Sequence, residues 1–292
     1  MKWEGHRQSD NVEDRRAGGA RSGMRLGGGK GLSLGAIVVA LVVGWIFGIN
    51  PMTVLGVIGG GAPETSGSAA PAEPGPRPTD PSAVFVSTVL ADTEDVWRPI
   101  FAASNANYAE PVLVLFRGAT PTACGTGQSA MGPFYCPGDS RVYIDLDFFD
   151  TLQRQLGAPG EFARAYVIAH EVGHHIQNLL GISAKVQAQR QRLPAAQGNA
   201  LSVRTELQAD CLAGVWTHHS QKGKGWLDQG DIAAAMNAAA RIGDDTLQRQ
   251  GGGVVRPDSF THGSSEQRQR WFRRGLDSGR MAECNSFDAP TL

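Results

Sequence analysis

The sequence predicts an α+β domain, a small sheet packed on a mostly helical body. Two observations carry this: short runs rich in branched apolar residues come first, and a succession of segments with helical periodicity follows. The domain opens with "PSAVFVSTVLADTEDVWRPIFAAS" (81–104), whose apolar residues recur at helical spacing. "PVLVLF" (111–116) reads as a strand. "RVYIDLDFF" (141–149) alternates, with Val142, Ile144, Leu146 and Phe148 on one face and Tyr143, Asp145 and Asp147 on the other, which predicts a half-exposed strand. Helices are expected over about 151–156, 161–180, 184–192, 199–221, 229–242 and 264–276.

Three segments precede this domain, which should occupy 81–292. Residues 1–31 combine charge and glycine with few large apolar side chains, so a disordered head is expected. Residues 32–49, "LSLGAIVVALVVGWIFGI", carry no charge. As a helix they reach roughly 27 Å, close to a bilayer core, so a transmembrane region is expected over 32–58. Lys2, Arg7, Arg15, Arg16, Arg21, Arg25 and Lys30 precede it, and the next basic residue is Arg77. That asymmetry predicts a single pass of the inner membrane with the N-terminus cytoplasmic and the domain on the outer, periplasmic side. A cleaved signal peptide is the competing reading, but no small-x-small site closes the apolar run. Residues 59–80 form a Pro/Gly/Ala-rich linker.

The formal net charge is -1 and no arginine stripe with interleaved aromatics is present, which argues against nucleic acid as a partner. The four cysteines all fall in the domain. An even number outside the membrane suits two disulfides. Cys124 with Cys136 would clip a Gly-rich loop, leaving Cys211 with Cys284; four free thiols in a reducing compartment is the alternative.

"AHEVGHHIQNLLG" (169–181) carries the chemistry. His170 and His174, four apart, share one face of a helix and can both reach one metal ion. Glu171 is rotated by about 100° from His170, beside the metal rather than on it, where a base could take a proton from a bound water. A catalytic zinc needs a third protein ligand. "NALSVRTELQADCLAGVW" (199–216) offers Glu206 and Asp210, again four apart and in an apolar context. Carboxylates are costly to bury there without a cation or donors. Glu206 would ligate Zn²⁺, and Asp210 would accept the free N–H of a histidine ligand and fix its tautomer. His175 points off the metal face, toward packing or the ligands' surroundings.

The HExxH sequence from His170 to His174, followed by Glu206-x-x-x-Asp210, resembles the gluzincin arrangement of metallopeptidases. The longer match, through "VYIDLDFF", "AHEVGHHIQNLLG", "ELQADCLAGVW" and "FTHGSSEQRQRWFRRGL", is similar to the bacterial neutral zinc metallopeptidases and spans essentially the whole chain. The resemblance implies a zincin-like fold and a membrane-tethered zinc peptidase acting on peptide or protein. It implies that an edge strand beside the metal pairs with the substrate, a role that falls on Tyr143, Ile144 and Asp145. It also gives His262 a role as donor to the oxyanion formed on the scissile carbonyl, with Tyr143 a second donor. Zinc held by His170, His174 and Glu206 would activate water, and Glu171 would take its proton and pass it to the leaving amine. The rival readings are a zinc-dependent cell-wall amidase and a zinc-dependent envelope protein that binds without cutting.

Overall fold

Asp80 starts the domain's first helix. Its carboxylate accepts the Ala83 N–H at 3.1 Å and Pro81 occupies the first turn, so α1 runs Pro81–Ala103. The computed structural model describes residues 1–16, 79–129 and 132–292, all within one compact unit. After α1 come strands β2 (Val112–Phe116), β3 (Ala119–Thr122), β4 (Gly125–Gln128), β5 (Phe134–Cys136) and β6 (Arg141–Asp145). A strand β1 (Val12–Asp14) precedes them all.

The main sheet has the order β1-β2-β6-β5. β1, β2 and β6 are parallel, and β5 runs antiparallel to β6. Side chains alternate strictly. Leu113, Leu115, Val142 and Ile144 enter the main core with the helices, while Val114, Phe116, Cys136 and Tyr143 form a small cluster on the other face. The expected strand over 141–149 is shorter than its alternation suggests. The Asp145 carboxylate accepts the Asp147 N–H at 3.0 Å and turns the chain into helix α2 (Asp147–Arg154), which buries Phe149 and Leu152. The hairpin β3–β4 was not anticipated from the sequence. It is tied to β5 by the Cys124–Cys136 disulfide, and the second disulfide joins Cys211 to Cys284.

The helical body consists of α3 (Glu161–Leu179), α4 (Ile182–Arg190), α5 (Ala195–Lys224), α6 (Asp231–Arg241), α7 (Asp244–Gln250) and α8 (Ser265–Ser278). Gly181, at φ 72°, takes the left-handed turn that ends α3. Two close approaches set the packing around α5. A Cβ on Gly173 of α3 would lie 2.9 Å from the Ala209 carbonyl oxygen. On the opposite side, Cβ atoms on Gly214 and Gly275 would overlap the α8 and α5 backbones respectively. Glycine is required at both contacts, and α5 is thereby held tightly between α3 and α8.

The front of the chain departs from expectation. Residues 1–16 were expected within a disordered head, yet β1 pairs with β2 in register Val12↔Leu113. Its charges find fixed partners instead of solvent. Arg7 pairs with Glu94 and Asp95, Asn11 donates to Glu94 at 2.9 Å, and Arg16 bridges Asp14 and Asp80 at 2.6 Å each. The folded domain therefore includes residues 1–16 as well as the chain from Asp80. Among the described residues no helix is long and apolar enough to cross a membrane. The expected membrane region at 32–58 and the linker up to residue 78 lie outside the described residues.

Candidate metal centre

Phe162, Tyr166 and Ile176 anchor α3 in the core, so the face one turn along carries His170 and His174 toward α5. Both imidazoles are held from behind. His170 Nδ1 lies 2.8 Å from Asp210 Oδ1, and His174 Nδ1 lies 2.8 Å from Gln177 Oε1. Each acceptor is an oxygen, so each Nδ1 carries a proton, which leaves Nε2 as the nitrogen of each ring that would ligate a metal. The forward nitrogens meet one carboxylate. His170 Nε2 is 3.1 Å from Glu206 Oε2, and His174 Nε2 is 3.5 Å from Glu206 Oε1. Among the described residues these three form a potential metal-holding group, with ligand atoms all within 4.8 Å of one another. Two imidazole nitrogens and one carboxylate, with a free side toward a cleft, are the donor set of a catalytic zinc.

Asp210 anchors this arrangement. It is fully buried and receives His170, the Tyr166 hydroxyl and both arms of Arg268, with Nε at 2.8 Å from Oδ2 and Nη2 at 2.9 Å from Oδ1. Burial works against its charge, but Arg268 and His170 hold its carboxyl at about 2. Burial likewise disfavours a charge on His170, yet Asp210 and Glu206 raise it to about 10 in the metal-free protein. Burial also opposes the charge on Glu206, but His174 and His170 draw its carboxyl well below the usual range. These opposed shifts favour charged imidazoles facing ionised carboxylates, and a divalent cation bound there would have to displace the imidazole protons.

Glu171 stands apart from this network. It is buried and lines the cleft beside the two histidines, and among the described residues it has no hydrogen bond or ion pair. Burial pushes its carboxyl above the ordinary range. His262 lines the same cleft from the loop before α8. Asp244 organises that loop. Its Oδ2 accepts the backbone N–H groups of Thr261, His262 and Gly263, and its Oδ1 lies 3.2 Å from His262 Nδ1. That contact raises the His262 imidazole above its usual value.

The edge-strand assignment needs correction. Tyr143, Ile144 and Asp145 sit on β6, an interior strand between β2 and β5. Tyr143 turns to the face away from the helices and donates to Asp139 at 2.8 Å, so it is not available as an oxyanion donor. Ile144 is core, and Asp145 accepts from Gly118 and Asp147 at the strand's end. The edge strand beside the metal residues is β5, whose Phe134 and Tyr135 line the cleft. β5 is three residues long among glycines and prolines, too short for periodicity to reveal. Arg268 also went unrecognised. It shares the buried stripe of α8 with Trp271, Phe272 and Gly275, at i, i+3, i+4 and i+7, and a cation on such a stripe signals a buried acidic partner.

Residues 1–287 match the family model described as putative neutral zinc metallopeptidase. The chain belongs to this family. Among its relatives, uncharacterized protein YpfJ of Escherichia coli K12 is 51% identical over 295 residues, 98% of this chain and 99% of that protein. Uncharacterized protein Rv2575 of Mycobacterium tuberculosis H37Rv is 45% identical over 208 residues, 68% of each chain. No solved structure matches significantly. The family name implies zinc, and the convergence of His170, His174 and Glu206 fits that ion.

Proposed function

We propose that this zinc metallopeptidase family member hydrolyses peptide bonds in extended segments of peptide or protein, with Glu171 as general base. The observation that carries the reading is the unpartnered, buried Glu171 carboxylate beside three convergent metal ligands. A structural site gains nothing from such a group, which costs free energy to bury. Bound zinc would supply Lewis-acid chemistry, acidifying a water and polarising the scissile carbonyl. Glu171, made more basic by burial, takes the proton of the attacking water and delivers it to the leaving amine. His262, whose protonated form Asp244 favours, donates to the developing oxyanion. Substrate lies antiparallel or parallel along the free edge of β5, held by main-chain hydrogen bonds.

The two disulfides support a location in an oxidising compartment, on the outer side of the inner membrane. The test of the chemistry is Glu171→Gln. Zinc stoichiometry should be unchanged, while hydrolysis of an unstructured protein falls by at least about 10²-fold. Full, chelator-sensitive activity in this variant would refute the assignment. Running cell-wall peptide fragments in parallel separates a peptidase from an amidase.

A further inference from the structure

Beside the metal residues, a second set of polar groups joins α3 to the edge strand. His175, the residue after the ligand His174, is almost fully buried. Its Nε2 lies 2.6 Å from the Ala109 carbonyl oxygen and its Nδ1 lies 3.0 Å from the Tyr135 hydroxyl. A carbonyl can only accept, so Nε2 carries the proton and Nδ1 is an acceptor. The Tyr135 hydroxyl therefore donates to His175, and its own oxygen accepts the Asn178 side-chain N–H at 2.9 Å. Every partner in this chain has a fixed direction. Tyr135 is the middle residue of β5 and points to the helical side, while Phe134 stacks on Tyr143 on the other face, centroids 5.0 Å apart.

We infer that Tyr135 is a positioning residue: its hydroxyl, gripped by His175 and Asn178, sets the height of strand β5 above the metal ligands and so holds an extended substrate in register with Glu171. The inference rests on the peptidase reading for its kinetic arm only. Strand β5 has a ladder partner on one side, β6, and is three residues long. Such a short edge needs a side-chain tether to keep its outer N–H and C=O groups in place for a peptide. Tyr135 supplies it by reaching His175 and Asn178, on the same stretch of α3 that carries His174. The family relationship says nothing of these contacts.

The experiment is Tyr135→Phe, which keeps the ring and removes only the tether. Kinetics are compared on a long unstructured peptide and on a minimal substrate too short to lie along β5. Zinc content and amide hydrogen exchange of residues 134–136 are measured on the same samples. We expect KM for the long peptide to rise by roughly 3–10-fold, the worth of one or two hydrogen bonds, with kcat within about twofold. KM for the short substrate and the zinc content should not change, and the amides of 134–136 should exchange faster. A fall in kcat on both substrates, a loss of zinc, or unchanged KM with unchanged exchange would each overturn the inference. If the wild-type protein hydrolyses nothing, the peptidase reading fails, while the exchange rates still decide whether Tyr135 holds the strand.

Discussion

Removing Arg268 should expose how the metal cage is supported. Arg268 and Asp210 are 1% and 0% exposed, and the guanidinium makes two hydrogen bonds to the carboxylate. Among the described residues, Arg268 Nε is the one donor to Asp210 Oδ2; Tyr166 and His170 both address Oδ1. Arg268→Met keeps most of the volume but leaves a buried carboxylate with one oxygen bare. Breaking a buried pair in this way costs about 3–5 kcal/mol. For a domain of this size that is about 6–20 °C in Tm. Arg268→Met combined with Asp210→Asn removes the stranded charge while retaining an acceptor for His170. The double variant should then be at least about 2 kcal/mol more stable than the sum of the two single losses predicts. Urea unfolding followed by tryptophan fluorescence gives these values, and it should be run on chelator-treated protein because bound zinc adds stability of its own. Single losses that add to within about 0.5 kcal/mol would show that Arg268 and Asp210 do not depend on one another, and the account of the cage would fall.

The loop before α8 makes a pH-dependent prediction. Asp244 raises the His262 pKa, so protonated His262 and any stability it brings are fully present below the ordinary histidine value and lost as pH rises through the raised one. Asp244→Asn should shift the basic limb of kcat/KM to lower pH, and an unmoved limb would remove His262 from the mechanism. The disulfides should differ in worth, since Cys211–Cys284 closes a separation of 73 residues and Cys124–Cys136 one of 12. Cys→Ala at both ends of the longer loop should cost about 4 kcal/mol in urea unfolding and of the shorter about 3, and a reversed order would show that loop closure does not dominate. Cysteines introduced at Val12 and Leu113, partners in β1 and β2, should cross-link in cells without added oxidant. A protein with native disulfides intact but that pair reduced would place residues 1–16 across a membrane from the domain, as a single crossing between them requires.

The sequence displayed the helices and the ligand spacing because both rest on local periodicity. His170 and His174 are four apart on one helix, as are Glu206 and Asp210 on another, so the shared faces could be read without any tertiary information. What stayed hidden depends on contacts between distant segments. Arg268 is 58 residues from Asp210, and Asp244 is 18 from His262. Strand β6 alternates like a half-exposed strand, but Tyr143 on its outer face joins a second small cluster and β5 pairs along its side, so alternation alone could not distinguish interior from edge. The head misled for a related reason. Arginines and acids at residues 7–16 have the composition of a solvated tail, and their pairing with Glu94, Asp95 and Asp80 is invisible until α1 is in place.

The metal residues draw their rigidity from one turn of α5. Asp210 and Cys211 are adjacent, and they face different partners: the carboxylate meets His170 and Arg268, and the sulfur meets Cys284. Immediately beyond, Gly214 and Gly275 bring α5 and α8 into backbone contact. The last helix, which contributes no metal ligand, therefore controls the carboxylate that orients one. On the far side of α5, the contact of Gly173 with Ala209 brings the ligand helix equally close. Glu206 lies one turn before Asp210, so an error in the α5–α8 contact would displace a ligand and its neighbour's support together. That coupling explains why the convergence of His170, His174 and Glu206 needs the whole helical body behind it. It also leaves Glu171, which lines the same cleft, outside the hydrogen-bond network of the described residues.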